Sequence, residues 1–302
     1  MRAGYGMNKT LTLTGAWQEF AMPLLFVVIW STGFIVARVG LPFAPPLSFL
    51  LLRYCCVIAV LAPLLLMVRP SWPRGQVLHI ALAGVMVQAG YLSGVWCAIK
   101  LGMPAGLSAL IVGLQPLLTA LVASLAGESL RWRQWLGLLL GLAGVALVVV
   151  ERLSFEGSST LNLSLCVFAL FCITAGTLYQ KRFCPRFDLR LGAVIQFGAS
   201  ALVTLPFALW LEGLGTGSQT IQWTPQFLLA LAWSVLALSI GAMFLLYRLI
   251  ASNAATQVSS LMYLTPPVTA LFAWLLFGEA FGLAGIAGML LAAAGVACVV
   301  RR

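Results

Sequence analysis

Polar side chains inside long apolar runs are the residues with chemistry to offer here, because each costs free energy to hold away from water. Ser31, Phe34 and Arg38 recur at i, i+3 and i+7, which places them on one face of a helix. The stripe Thr174, Thr177 and Lys181 repeats that spacing 143 residues later. One reading is a pair of basic gates that draw in carboxylates or other anions. The other is interfacial anchoring, with the long stems reaching out to lipid headgroups.

Ser108, Gln115 and Thr119 share a second face, and Thr265 and Thr269 repeat its last two positions. Gln115 and Thr265 each precede a proline, which frees a backbone carbonyl and bends a helix. A polar ligand could meet backbone and side chain together there. Interhelical hydrogen bonding is the plainer role for such residues. Gln88 and Tyr91 lie one turn apart, with Trp96 further along, while Tyr247 and Tyr263 fall in the later half. Trp30 and Tyr179 flank the two stripes. Aromatic walls of this kind suit an amphipathic ligand, stacking on its body and facing an ammonium through cation–π attraction. Each ring alone also fits a core or an interface belt. Arg53, with Gln196 as its counterpart at the 143-residue offset, reads as structural or as part of an access path.

The elements that position these side chains are set by composition. Of 302 residues, 62% are hydrophobic and 8% charged, far below the quarter or so charged in an average soluble domain. Continuous apolar runs of about 20 residues, the length that crosses a ~30 Å hydrocarbon core as helix, recur along the chain. Alternation of the β-barrel kind is missing from those runs. The expected fold is therefore all-α and polytopic. Ten transmembrane helices are expected near 21–41, 46–68, 76–99, 104–126, 132–150, 161–180, 190–211, 224–248, 253–277 and 282–300. Residues 1–20 read as a polar cytoplasmic tail rather than a signal peptide.

Thirteen Lys and Arg residues fall on one side of this plan and two on the other, which puts both termini inside. The same topology accounts for the net charge of +10, so nucleic acid is not expected as a partner. The seven cysteines lack metal-ligand spacing and read as small packing residues. No cofactor is expected.

"GLQPLLTALVASLAGE" from Gly113 and "YLTPPVTALFAWLLFGE" from Tyr263 are two versions of one segment. They match at an offset of 150 from Leu114/Leu264, then at 151 through Gly127-Glu128/Gly278-Glu279 and Gly144-Val145-Ala146/Gly295-Val296-Ala297. The chain divides into 21–152 and 158–302, two five-span units. Five is odd, so the second unit enters the membrane inverted. Such repeats place a binding site between halves that rock to expose it alternately, which is the signature of a transporter. The glycine series 137, 141, 144 and 285, 288, 295 marks close helix packing. Placed inside the chain it favours a monomer; placed outside, a homodimer.

The stretches "WSTGFIVARVGLP" from Trp30, "LSFLLLRY" from Leu47, "LGMPAGLSALIVGLQPLLTAL" from Leu101, "GLLLGLAGVALVV" from Gly137 and "LTPPVTALFAWLLFGE" from Leu264 resemble the EamA group of the drug/metabolite transporter superfamily. The resemblance runs from about residue 22 to the end. It implies ten spans in the inner membrane, a cavity lined mainly by the first, third and fourth spans of each half, and secondary export of amino acids or related metabolites. The sequence agrees in having no GxxxxGK[ST] phosphate loop. A carrier of organophosphates or nucleotide sugars is the alternative within the superfamily. A channel is disfavoured by the two inverted halves. An enzyme is disfavoured because no nucleophile–base pair, metal cluster or mid-span acid is present. The lack of a mid-span acid also argues against a proton relay.

Overall fold

The computed structural model describes residues 21–68, 72–125, 132–153, 159–184, 187–213, 220–243, 245, 264–279 and 282–300. All regular structure among them is helical: α1 Met22–Gly40, α2 Pro46–Val68, α3 Val77–Gly84, α4 Tyr91–Lys100, α5 Ala105–Val112, α6 Gln115–Leu125, α7 Trp132–Leu153, α8 Thr160–Phe183, α9 Leu189–Leu211, α10 Pro225–Trp233, α11 Thr265–Phe277 and α12 Leu283–Val300. Two π-helical segments, Val85–Gly90 and Ser234–Gly241, extend α3 into α4 and continue α10. Five continuous helical stretches are long and apolar enough to cross a membrane: α1, α2, Val77–Lys100, α8 and α9. The remaining expected spans coincide with apolar helices of 10–17 residues.

The expected span 104–126 shows why a run can be apolar yet discontinuous. Pro116 has no N–H to give Val112, and its ring collides with that carbonyl. The helix accordingly breaks after Val112, tightens to a Leu114 N–H to Ile111 carbonyl bond of 3.1 Å, and restarts as α6. In α11 the prolines Pro266 and Pro267 occupy the first turn, where a missing N–H costs nothing.

Helices at matching repeat positions pack against each other, and they run antiparallel. Against α2, α9 places Glu212 beside Leu47 and Phe197 beside Tyr54. α11, whose repeat counterpart is α6, runs antiparallel to α5, with Glu279 beside Ala105 and Pro266 beside Gly113. Against α7, α12 places Gly295 beside Gly137 and Gly288 beside Gly144. In the last pair a Cβ on Gly144 would strike the Gly288 carbonyl, and one on Gly295 the Gly137 carbonyl. The glycine series is thus buried between two helices of one chain.

One end of the bundle is tied by long-range polar contacts. Lys100 Nζ donates to the Leu41 carbonyl at 2.7 Å, Asn162 Nδ2 to the Leu101 carbonyl at 3.3 Å, and the Gln222 N–H to the Phe43 carbonyl at 2.8 Å. We call this the Glu212 end. The opposite end carries the α8–α9 connection, where the Asp188 carboxylate caps α9 through the Arg190 and Leu191 N–H groups. Large apolar side chains cover the outside, among them Leu66, Met67, Trp210 and Leu283, each at least 75% exposed. A surface of that kind is stable against lipid and not against water.

Candidate functional site

A cavity of about 330 Å³ lies inside the bundle, at the small end of the ~300–1,000 Å³ typical of ligand sites. Its wall draws on α1 (Trp30, Gly33, Phe34), α2 (Arg53), the first π segment and α4 (Val87, Gln88, Tyr91, Trp96), α8 (Ile173, Gln180), α9 (Ala193, Gln196, Phe197) and the second π segment with its continuation (Leu238, Ser239, Ala242, Met243). Phe187 and Leu189 bring the wall down to the α8–α9 connection. Toward the Glu212 end Trp96 packs on Phe49 with ring centroids 4.5 Å apart, and Phe49 packs edge-on to Phe227 at 5.4 Å. Trp96 lines the cavity at that end, with the Phe49 and Phe227 rings packed behind it.

Both π segments face it, and each supplies a polar wall residue, Gln88 and Ser239. A π turn carries an extra residue, which disturbs the i−4 pairing and re-aims side chains. The freed groups are reused. The Tyr54 hydroxyl donates to the Gln88 carbonyl at 2.8 Å, and the Ser239 hydroxyl donates to the Ser234 carbonyl, five residues back, at 2.9 Å. The Ser239 oxygen then accepts from Arg53 Nε at 3.0 Å. Gly84 matters for the same wall. A Cβ there would strike the Gln196 backbone, and the close approach lets Ser200 Oγ reach the Gly84 carbonyl at 3.0 Å.

Arg53 dominates the electrostatics. It is 7% exposed, and among the described residues it is the one cation that lines the wall, with no acid beside it. An uncompensated arginine at membrane depth costs at least about 2.5–3.5 kcal/mol. The other polar side chains of the described wall are uncharged: the hydroxyls of Tyr91 and Ser239, the indole N–H groups of Trp30 and Trp96, and three amides, with Gln196 Nε2 donating to Gln180 Oε1 at 3.1 Å.

Of the residues singled out in the sequence, Trp30, Phe34, Gln88, Tyr91 and Trp96 line this cavity, and so do Arg53 and Gln196. The others named among the described residues lie elsewhere. Ser31 faces α11, receiving the Thr269 hydroxyl on its carbonyl at 3.3 Å and directing its own toward the carbonyl of buried Thr265 at 3.5 Å. Ser108 donates to the Pro104 carbonyl and Thr174 to the Leu170 carbonyl, each within its own helix turn. Gln115 Nε2 donates to Thr177 Oγ1 at 3.0 Å, bridging α6 and α8. Arg38 approaches Glu279 at 3.8 Å and lies 5.9 Å from the centre of the Phe277 ring, at the Glu212 end. Tyr179 is hydrogen-bonded to His79 Nδ1 at 2.7 Å near the opposite end. Tyr247 and Tyr263 lie outside the described residues.

The sequence reading passes over Ser239 and Gln180, and it takes Arg53, with Gln196 as its repeat counterpart, as structural or as part of an access path. A signal for the last two exists: two polar residues at equivalent repeat positions, in spans that otherwise hold little polarity. Ser239 leaves no signal, because a π turn cannot be read from hydropathy.

A helical bundle clad in apolar side chains, with several helices long enough to cross a membrane and a part-polar cavity between them, defines a multi-pass membrane protein. The EamA-like transporter family model matches residues 18–150 and again 160–301, and the chain belongs to that family. It is a membrane transporter. A "Probable amino-acid metabolite efflux pump" of Salmonella typhimurium (strain LT2) is 28% identical over 91% of this chain and 92% of its own length. A protein of the same description from Escherichia coli (strain K12) is 30% identical over 55% of this chain and 54% of its own length, so that match spans about half of each. The "Uncharacterized transporter YvbV" of Bacillus subtilis is 28% identical over 90% of this chain and 88% of its own. A solved crystal structure shares the fold, with a TM-score of 0.61 at 21% identity over 92% of this chain and 94% of that one.

Proposed function

We propose that this protein is a secondary transporter exporting small metabolites, amino acids or related amphipathic compounds, across the inner membrane by alternating access. The observation that carries the reading is a part-polar cavity enclosed by helices of both repeats. In this reading ten spans form two inverted five-helix halves. The antiparallel crossing of α2 with α9 and of α7 with α12 supports it, since inversion requires equivalent helices to run in opposite directions. The Glu212 end is outside and the Asp188 end, with Lys181, Arg182 and Arg190 around it, is inside. A cavity lined by Trp96 with rings packed behind it at one end, and down to Phe187 at the other, is the inward-facing member of the cycle.

The substrate contacts are Trp30, Phe34, Gln88, Tyr91 and Trp96, joined by Arg53, Gln196 and Ser239. An organophosphate or nucleotide-sugar carrier fits less well, because the cavity is small and, among the described residues, offers one cation. The burial of Gly144 against Gly288 supports a monomer as the working unit. Among the described residues the acids sit at helix ends: Asp188 and Glu212 flank α9, Glu279 follows α11, and Glu151 closes α7. This supports transport down the substrate's own gradient, with no proton relay.

The test is counterflow in proteoliposomes loaded with unlabelled amino acids and given trace label outside. Label should accumulate with no imposed ion gradient. Strict dependence on a proton gradient would reject the gradient-free mechanism, and no counterflow of any small metabolite would reject the transporter cavity.

A further inference from the structure

Arg53 is held in place but not satisfied. Its Nε spends its hydrogen on Ser239 Oγ, and the Ser239 proton is committed in turn to the Ser234 carbonyl. The neighbouring Tyr54 hydroxyl is committed to the Gln88 carbonyl. Among the described residues no acceptor meets the two terminal amino groups, and no acid pairs with the guanidinium. The side chain is more than nine-tenths buried, and it lines the cavity. Its terminal amino groups are not sealed inside the protein but keep accessible surface on the cavity, where four N–H donors and a charge stand open to a ligand acceptor.

We propose that the terminal amino groups of Arg53 anchor a single substrate carboxylate, and that the cavity selects organic monoacids with an apolar or aromatic body by that carboxylate rather than by an amine. This rests on the reading of the cavity as the transport site. With Nε engaged, the two amino groups present parallel donors end-on, a geometry that a planar carboxylate fills with both oxygens.

Charge balance chooses among anions. Among the described residues the wall carries one fixed positive charge and no negative one. A monocarboxylate makes the loaded cavity neutral, so the moving unit is not penalised in low dielectric. A phosphate monoester brings a second negative charge that no lining cation meets. A zwitterion adds an ammonium, which the rings and uncharged polar groups of the wall can face without a counter-charge, and it leaves the cavity with a net positive charge. The body of the acid lies against Trp30, Phe34, Tyr91, Trp96 and Phe197.

The experiment compares four probes by calorimetry on the purified full chain in lipid nanodiscs: phenylalanine, N-acetylphenylalanine, phenylalaninamide and phenyl phosphate. N-acetylphenylalanine should bind at least as tightly as phenylalanine. Phenylalaninamide and phenyl phosphate should each bind at least tenfold more weakly. Arg53→Gln should weaken the two carboxylates at least tenfold with little change in melting temperature. If that variant does not fold, Ser239→Ala serves instead, since it frees the guanidinium and should weaken the carboxylates two- to tenfold. The proposal is overturned if the amide or the phosphate binds as well as the acids, or if a folded Arg53→Gln protein binds them as wild type does. It is also overturned if none of the four binds while other solutes show counterflow in proteoliposomes, an outcome that leaves the transporter reading standing. Loss of all counterflow in wild type removes that reading itself.

Discussion

The Glu212 carboxylate, at the C-terminal end of α9, accepts from both the N–H and the hydroxyl of Ser48, at 2.8 and 2.7 Å, and from the Leu47 N–H at 2.7 Å. It therefore caps the N terminus of α2 across 164 residues of sequence, where the orphan amides and the positive end of the helix dipole favour an anion. Glu212→Ala would leave those amides buried and unmet, at a cost of about 1–3 kcal/mol. A melting temperature lower by several degrees is expected, with Glu212→Gln intermediate. An unchanged melting curve would mean the cap is replaceable by water.

Arg38 and Glu279 stand 3.8 Å apart with the arginine side chain 41% exposed, so their direct attraction is worth at most about 1 kcal/mol. Glu279 also accepts from the Ala105 N–H at 3.1 Å. Arg38→Gln should leave melting temperature and substrate affinity near wild type while changing the transport rate severalfold, because it acts on closure of the Glu212 end. A tenfold loss of affinity at unchanged rate would instead make Arg38 a ligand.

The seam of α7 and α12 tolerates no side chain at its crossing. Gly144→Leu should sharply reduce folded yield, because the atoms it meets belong to the Gly288 carbonyl and the Ala292 backbone, which cannot turn aside. Gly198→Ala, which meets nothing within 4 Å, should be neutral or slightly stabilising. Equal behaviour of the two variants would refute the packing argument.

Topology can be read by labelling. In a cysteine-free background, single cysteines at Leu101 and Thr220 should react with an impermeant maleimide from outside intact cells, and one at Gly75 should react only after permeabilisation. All three positions are exposed. Reaction at position 75 from outside would reverse the orientation.

Gln88 and Gln115 separate cavity wall from helix contact. Gln88→Ala should weaken substrate binding roughly 2- to 10-fold, the loss of one ligand hydrogen bond worth about 0.5–1.5 kcal/mol. Gln115→Ala removes a bond to Thr177 and should leave affinity within twofold in the state with the cavity on α1, α4 and α8. The reverse ranking, measured by calorimetry, would move the site toward the α5–α6 break.

Much is legible from residue order alone. Apolar runs of membrane length, the punctuation by Pro and Gly, and the doubled segment ending in Gly127-Glu128 and Gly278-Glu279 determine a helical membrane protein built from two related halves. Those features are local or periodic, so they survive without knowledge of contacts. The family resemblance rests on the same stretches.

Which polar residues share a cavity was decided only by the tertiary structure. In an apolar helix both faces are hydrophobic, so periodicity does not tell the lipid side from the interior. Ser31 and Phe34 lie three residues apart on α1, yet one faces α11 and the other the cavity. Two π turns rotate the helix beyond them, aiming Gln88 and Ser239 inward with no mark in composition. The Arg53–Ser239 bond joins residues 186 apart, and it forms because α2 and the second π segment happen to pack together. Sequence determined that a charge would lie within α2; packing decided that it would face a cavity between the helices.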